Sequence, residues 1–185
     1  MKRAHFFLTL ILSFICIFDA SAQDHSIRFQ NGTLTVSPLQ DNAVRIRYIE
    51  GEAAELPEWL YVENDDEVSC KKSSKGDVTT FRLKGLTLTA DNGSGRIEVA
   101  DSRGVKVFSA LAHELKAGTI QGEPTKQAKL VIDSPADEYL YGLGQFQDGY
   151  LNVRGLTRRL TQVNTQISIP FLLSSKGYGL LWNNY

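Results

Sequence analysis

Short runs in which apolar and polar residues alternate, separated by turn-forming residues, recur along almost all of this 185-residue chain. Two such runs are "GTLTVSPL" at Gly32–Leu39 and "NAVRIRYIE" at Asn42–Glu50. Alternation with a period of two is typical of a strand with one buried and one solvated face. Turn signals about every 8–12 residues are typical of a sandwich or barrel. The pattern therefore predicts an all-β fold, and we interpret it as one antiparallel β-sandwich.

Further segments extend this pattern and a few interrupt it. The extensions are a hairpin at Asp77–Asn92 around Lys84-Gly85, a hairpin at Gly95–Ala110 around Asp101–Gly104, and a strand at Ala128–Ser134. Ala110–Ala117 has modest helical character, and Lys116–Gln127 has the composition of a loop. The acidic segment Glu50–Asp65 is predicted to be a long connection that buries Trp59 and Tyr61.

The first 22 residues have the parts of a secretory signal peptide. Lys2 and Arg3 are basic, Phe6–Phe18 is an almost unbroken apolar run, and Ala20-Ser21-Ala22 is an A-x-A cleavage site. The run is shorter than the ~20 residues that span a bilayer. We therefore expect residues 1–22 to be removed and residues 23–185 to form the mature domain, secreted or periplasmic and not attached to a membrane.

The net charge, and the two histidines and one cysteine that remain after cleavage of residues 1–22, argue against several classes of partner. Cleavage would remove two of the 20 basic and one of the 21 acidic residues, which leaves a net charge of −2. This balance gives no expectation of a nucleic acid or an anionic membrane surface as partner. His25 and His113 lack ligand spacing and Cys70 has no intrachain partner, so we expect no metal, cofactor or disulfide framework.

The stretch "YLYGLGQFQDGYLNVRG", Tyr139–Gly155, crowds aromatic residues, glycines and side-chain amides together. Gly142 and Gly144 weaken an ordinary strand interior and permit a bulge, or close approach of another backbone or a ligand. Polar groups that suit sugar hydroxyls follow at Gln145, Gln147, Asp148 and Asn152. These residues alone leave two interpretations open, a glycine-punctuated loop and a carbohydrate contact.

Two elements in sequence resemble a known family. "YLYGLGQFQDG" is followed by "NTQISIPFLLSSKGYGLLWNNY", and the pair is similar to the N-terminal β-sandwich of family 31 glycoside hydrolases. The resemblance is greatest to bacterial α-xylosidases, α-glucosidases and related α-transglucosylases. It runs from Tyr139 to Tyr185, and residues 23 to 138 support it only through their β pattern. Asn183 stands where many relatives have Asp, so no role of that carboxylate is carried over.

The resemblance implies a galactose mutarotase-like sandwich, truncated at its C-terminal end, that precedes a (β/α)₈ barrel. In the family that barrel acts on α-linked oligosaccharides with two aspartates, and a retaining mechanism needs their carboxyl groups about 5–5.5 Å apart. This chain shows no alternation of strands and helices, and a barrel needs ~250 residues. We therefore expect no catalytic residue here. The acidic residues nearest the motif are predicted to be solvated loop carboxylates: Asp133, Asp137, Glu138 and Asp148.

The resemblance also implies candidate substrate-binding residues, because a loop of the sandwich in relatives helps to form a sugar subsite. Asn164 and Thr165 belong to that region, and their amide and hydroxyl suit sugar hydroxyls. Both residue types also favour turns and strand caps. Gln145 and Gln147 complete the candidate set. Aromatic residues leave further alternatives: Phe146 and Tyr150 either stack on a pyranose or fill a core, whereas Tyr178, Leu180 and Trp182 alternate and are expected to pack against the opposing sheet.

Three functions of different classes are compatible with the sequence. The first is the N-terminal module of a secreted α-glycosidase, inactive by itself. The second is a stand-alone carbohydrate-binding sandwich, and the third is a structural interaction domain. An exposed apolar patch where a barrel would sit favours the first and third functions over the second.

Overall fold

The computed structural model describes residues 24–52, 60 and 68–183. These residues form twelve strands and no helix. The first sheet contains β1 (His25–Phe29), β2 (Gly32–Gln40) and β3 (Ala43–Ile49). The second contains β4 (Lys71–Lys75), β5 (Val78–Arg82), β6 (Leu86–Asp91), β7 (Arg96–Asp101), β8 (Lys106–Ile120) and β9 (Glu123–Ile132). The third contains β10 (Leu140–Gln145), β11 (Ile167–Ser174) and β12 (Gly179–Leu181).

Within each sheet, strands that follow one another in the sequence pair antiparallel. The predicted all-β, antiparallel architecture is therefore confirmed. Within the described ranges, no helix has the length and apolar character needed to cross a membrane. The signal-peptide prediction for residues 1–22, and the predicted burial of Trp59 and Tyr61, concern positions outside the described residues.

The core lies between the first and second sheets and follows from the alternating pattern. In β6, Leu86, Leu88 and Ala90 point inward, while the threonines between them are only half buried. Facing them from the first sheet, Phe29 and Leu34 are completely buried. Full burial of a Leu or Phe side chain contributes about 1.5–3 kcal/mol. The period-two alternation therefore fixes which face of each sheet is inside.

The two hairpins predicted in the second sheet are confirmed. Leu83 N donates to Leu86 O at 2.9 Å, closing the turn at Lys84-Gly85. At the other turn, the Asp101 carboxylate accepts hydrogen bonds from the backbone N–H groups of Arg103 and Val105 at 2.9 and 3.0 Å. Aspartate favours turns because its side chain can bond the backbone two residues later. Local turn chemistry is therefore sufficient to locate both hairpins.

The predicted helical character of Ala110–Ala117 and the predicted loop at Lys116–Gln127 are both wrong. These residues belong to β8 and β9, which pair along their length from Ala110 to Ile132. The turn of this long hairpin is Gln121-Gly122, both at positive φ (52° and 89°). Ala, Glu, Leu and Lys are good helix formers, but half-buried and exposed residues alternate along 111–116. The sheet pairing therefore overrides the local helix preference.

The third sheet contacts the second through an aromatic pair. Tyr178 meets Phe108 of β8 edge-on, with ring centroids 5.4 Å apart. The predicted packing against the opposing sheet is confirmed for Tyr178, and Leu180 is half buried. For Trp182 the prediction is wrong: 37% of its surface is exposed.

Candidate functional site

The glycines of the Tyr139–Gly155 stretch flank a β-bulge between β10 and β11, with the extra residues on β11. Pairing with β11 shifts register between Gly142 and Gly144, and three successive residues have positive φ: Gly142 (104°), Leu143 (66°) and Gly144 (106°). A Cβ added to Gly142 would lie 2.5 Å from Phe171 O, and one on Gly144 would lie closer still to Ile167 O. Only glycine fits at such distances and dihedral angles. The bulge and the close backbone approach anticipated from the sequence are therefore present, and the approaching backbone is β11.

The bulge lies beside a shallow depression of about 360 Å³. It is lined by the segment from Gly142 to Gln145 and by Ile167, Ile169 and Phe171 of β11. Gln145 is the polar member of this lining. Its position opposite Ile167 in the register puts it next to the hairpin that immediately precedes β11.

Asn164 and Thr165 are the two central residues of that hairpin. Val163 and Gln166 exchange backbone hydrogen bonds of 3.3 and 3.2 Å on either side of them. Both are exposed, and neither side chain has a hydrogen-bond partner among the described residues. The turn interpretation is therefore confirmed, and the amide and hydroxyl at its tip are available to a ligand or another surface.

The base of this hairpin is held by side chains. The Gln166 amide donates to Thr161 O at 2.9 Å, and the Ser168 hydroxyl donates to the same carbonyl at 2.6 Å. Gln162 Oε1 accepts from Ser168 N at 2.9 Å. Because these contacts tie the residues before the turn to the start of β11, the tip is carried on a fixed base.

Arg158 and Phe146 organise the segment between β10 and the hairpin. The guanidinium carbon of Arg158 lies 4.6 Å from the centre of the Phe146 ring, a cation–π contact. Arg158 also pairs with Asp148, and its hydrogen bond is the main reason why the pKa of Asp148 is lower than usual. One face of Phe146 is therefore occupied by Arg158. Tyr150 is 63% exposed. Gln147 is also exposed, and no contact between it and the hairpin is observed among the described residues.

Glu138 contradicts the prediction of a solvated loop carboxylate, because only 1% of its surface is exposed. It accepts a hydrogen bond from the hydroxyl of Ser174 on β11. Burial raises the pKa of Glu138, but the hydroxyls of Ser134, Ser174 and Tyr178 and the charge of Arg154 outweigh it, so the pKa is lowered. In turn, burial and the Glu138 carboxylate raise the pKa of Tyr178 to about 12. The carboxylate therefore belongs to a buried polar cluster.

A period-two signal could have identified this burial. Glu138 lies two residues before Leu140, which pairs with Ser174 in the β10–β11 register. Residues two apart share a face of an extended strand. The three other acidic residues near the motif are exposed as predicted: Asp133, Asp137 and Asp148.

The family of this fold is established by comparison with known proteins. The profile of the glycosyl hydrolase 31 N-terminal galactose mutarotase-like domain matches residues 33–185. An α-xylosidase of Saccharolobus solfataricus is 31% identical over 170 residues, which are 86% of this chain and 23% of that protein. The chain thus spans less than a quarter of the length of that relative.

Two crystal structures of α-xylosidases share the fold. The family 31 α-xylosidase from Xanthomonas citri superposes with a TM-score of 0.80 at 26% identity, over 89% of this chain and 18% of that one. A family 31 α-xylosidase from a soil metagenome, solved with xylose, gives a TM-score of 0.75 at 26% identity, over 89% of this chain and 27% of that one. The sequence resemblance and the galactose mutarotase-like fold are both confirmed. This chain belongs to glycosyl hydrolase family 31, of which it is the N-terminal galactose mutarotase-like domain.

Proposed function

We propose that this chain is the non-catalytic N-terminal module of an exported retaining α-glycosidase of the α-xylosidase type. The observation that carries the proposal is the relation to the Xanthomonas citri α-xylosidase, in which 89% of this chain matches only 18% of the enzyme. The fold of a β-sandwich does not by itself define an activity. In the proposed enzyme, a (β/α)₈ barrel outside this chain cleaves an α-linked oligosaccharide.

The environment of the carboxylates supports a non-catalytic role. The general acid of a retaining glycosidase needs a raised pKa, and a second carboxylate must lie about 5–5.5 Å away. Here the pKa of Asp137 is lowered, chiefly by a hydrogen bond from Lys176, and the pKa of Asp148 is lowered by Arg158. Glu138 is buried and its pKa is also lowered. The pKa of each of these three groups is thus shifted in the direction opposite to that needed by a general acid.

Within this enzyme, the Asn164-Thr165 turn is proposed to line part of the sugar site. Both side chains are exposed and without partners among the described residues, and each can donate and accept hydrogen bonds to hydroxyls. Gln145 lies beside the base of the same hairpin, and Gln147 follows two residues later. A stand-alone sugar-binding role has less support, since Arg158 covers one face of Phe146.

Export of the module rests on its first 22 residues, with their basic start, apolar run and A-x-A site. N-terminal sequencing of protein recovered from the periplasm or medium should begin at Gln23. An intact Met1 on exported protein would contradict cleavage, and retention of the chain in the cytoplasm would contradict export.

Two assays test the catalytic assignment. The purified chain alone should not hydrolyse aryl α-xylosides or α-glucosides. A fusion in which residues 24–185 replace the matching region of the Xanthomonas citri α-xylosidase should hydrolyse aryl α-xylosides faster than the same enzyme without that region. Turnover by the isolated chain that disappears on replacing one carboxylate would overturn the non-catalytic role. A fusion no more active than the truncated enzyme would count against the module function.

A further inference from the structure

One face of the third sheet is apolar and open. Along β11, alternate residues are exposed by 46% at Ile167, 49% at Ile169, 40% at Phe171 and 48% at Leu173. Leu181 of β12 pairs with Phe171 and is 43% exposed. Directly opposed residues of an antiparallel pair share a face, so these five side chains form one surface, which we call the β11 face.

On the opposite face of β11, Pro170 is exposed, but the residues that follow it are turned toward the rest of the domain. Leu172 is half buried and Ser174 is 4% exposed, and Tyr178 beside them packs on Phe108. The β11 face is therefore the outer face of this sheet. An antiparallel sheet with one solvated face normally carries polar residues there.

The second sheet of the same molecule follows that rule. In β6 the residues that alternate with the buried Leu86 and Leu88 are Thr87 and Thr89, and the edge strand β4, "KKSSK", is exposed and polar throughout. Single apolar residues are exposed elsewhere, such as Ile46 and Val131, but β11 has four of them at alternate positions. Contiguous exposed apolar surface of this kind marks an interaction site.

We propose that the β11 face is the surface on which the catalytic domain of the same enzyme docks. This inference rests on the function proposed above. Most of the Xanthomonas citri α-xylosidase lies outside the 18% that this chain matches, so the proposed enzyme has a large further part that is available to cover this face. The face carries no charged side chain at its five positions, and it therefore fits an apolar partner surface.

The β11 face adjoins the candidate sugar-binding turn. This position favours the catalytic domain over a second copy of the chain as the partner. The Asn164-Thr165 turn ends at Gln166, and the face begins at Ile167 on the next residue of the same hairpin and strand. A domain seated on the face would therefore also meet the turn. The depression of about 360 Å³ beside Ile167, Ile169 and Phe171 receives an apolar side chain of that domain.

A direct test is to superpose this chain on the Xanthomonas citri crystal structure. The side chains aligned with the five positions should lose most of their exposed area when the catalytic domain is included. If they remain open, or if only another segment of the N-terminal domain covers them, the docking proposal is overturned. The function proposed for the module would be untouched by that result.

A solution test uses the fusion described above. Ile169→Asp combined with Phe171→Asp should lower its turnover of aryl α-xylosides at least about tenfold, because such central apolar anchors carry most of an interface's energy. The matched control is Ile120→Asp, at an apolar residue 59% exposed on the β8–β9 hairpin. It should leave turnover unchanged.

The melting temperature of the isolated 185-residue chain separates docking from folding. Because the substituted side chains are open there, the double variant should melt within a few degrees of the wild-type chain. A large fall would show that the face belongs to the module's own core and would overturn the proposal. Unchanged turnover of the doubly substituted fusion would overturn it as well, and so would a stable dimer of the isolated chain that the double substitution dissociates. An inactive unsubstituted fusion would contradict the function proposed for the module. The superposition would then still test whether the β11 face is the docking surface.

Discussion

The hydroxyl of Ser174 on β11 donates a hydrogen bond to the buried carboxylate of Glu138, which lies just before β10. The two residues are 36 positions apart in the sequence. Arg154 reaches the same region from another segment, and its Nη2 donates to Ser134 O at 3.1 Å. The cluster therefore joins three parts of the chain around one buried charge.

Replacing Ser174 with Ala should destabilise the domain, because the carboxylate loses a donor while it remains buried. Leaving a buried polar group without its partner costs about 1–3 kcal/mol. Chemical unfolding of the purified chain measures this loss. The control is Ser102→Ala at an exposed turn position, which should change the free energy of unfolding little. Equal effects of the two substitutions would show that the Glu138–Ser174 contact does not stabilise the fold.

The stability contributed by Glu138 should be lost in acid. Its pKa is lower in the folded state than its ordinary value, which for Glu is about 4.3. The unfolded chain therefore takes up a proton first as the pH falls. The contribution is complete above the unfolded pKa and disappears as the pH passes down through the folded pKa.

The measurement that checks this sign is unfolding of wild-type and Glu138→Gln chains between about pH 7 and pH 3. Asp137 and Asp148 also have lowered pKa values, so both proteins should weaken in acid. The wild-type chain should lose more, and the difference between the two curves isolates Glu138. Parallel curves would contradict a lowered pKa for this group.

Gly144→Ala should destabilise the bulge more than Gly149→Ala. Both glycines have positive φ, 106° and 77°, and an unfavourable backbone region costs about 1–3 kcal/mol for other residues. At Gly144 the new Cβ would also collide with Ile167 O, whereas nothing lies within 4 Å of a Cβ at Gly149. The difference between the two melting temperatures therefore reports the close approach of β11. Similar losses at both sites would mean that backbone strain alone accounts for the glycine requirement.

How far the sequence predicts the fold depends on the range of the interactions involved. The turn at Lys84-Gly85 is encoded locally, and it was predicted correctly. Ala110–Ala117 was misread because its residues individually favour helix, while its partner strand β9 supplies the ladder that makes it a strand. Strands β1 and β4 were missed, and β4 is a short exposed edge whose lysines carry little alternation.

The candidate site likewise contains features that follow from local sequence and features that depend on residues far apart in the chain. The glycine bulge and the Asn164-Thr165 turn follow from residues adjacent in sequence, and both were anticipated. The burial of Glu138 depends on Ser174 and Arg154, and the covering of Phe146 depends on Arg158. The contact of Phe146 with Arg158 has no signature in local composition, and for Glu138 the only local signal is its spacing of two residues from Leu140, which names none of its partners.

Asn152→Ala should lower the stability of the domain, whereas Asn164→Ala should lower activity and leave stability unchanged. Asn152 Oδ1 accepts hydrogen bonds of 3.1 Å from the backbone N–H groups of Leu140 and Arg154, so its loss should lower the melting temperature of the isolated chain. The Asn164 side chain has no hydrogen-bond partner among the described residues, so its loss should leave the melting temperature unchanged.

In the fusion with the Xanthomonas citri enzyme, Asn164→Ala should instead lower kcat/KM for an aryl α-xyloside. Loss of one hydrogen bond to an uncharged sugar hydroxyl costs about 0.5–1.5 kcal/mol, which corresponds to roughly threefold to tenfold. The substitution is informative because it changes an exposed turn residue and leaves the base of the hairpin, held by Gln166 and Ser168, intact. Unchanged kinetics together with a marked fall in melting temperature would show that Asn164 stabilises the turn, and its proposed role at the sugar site would then be abandoned.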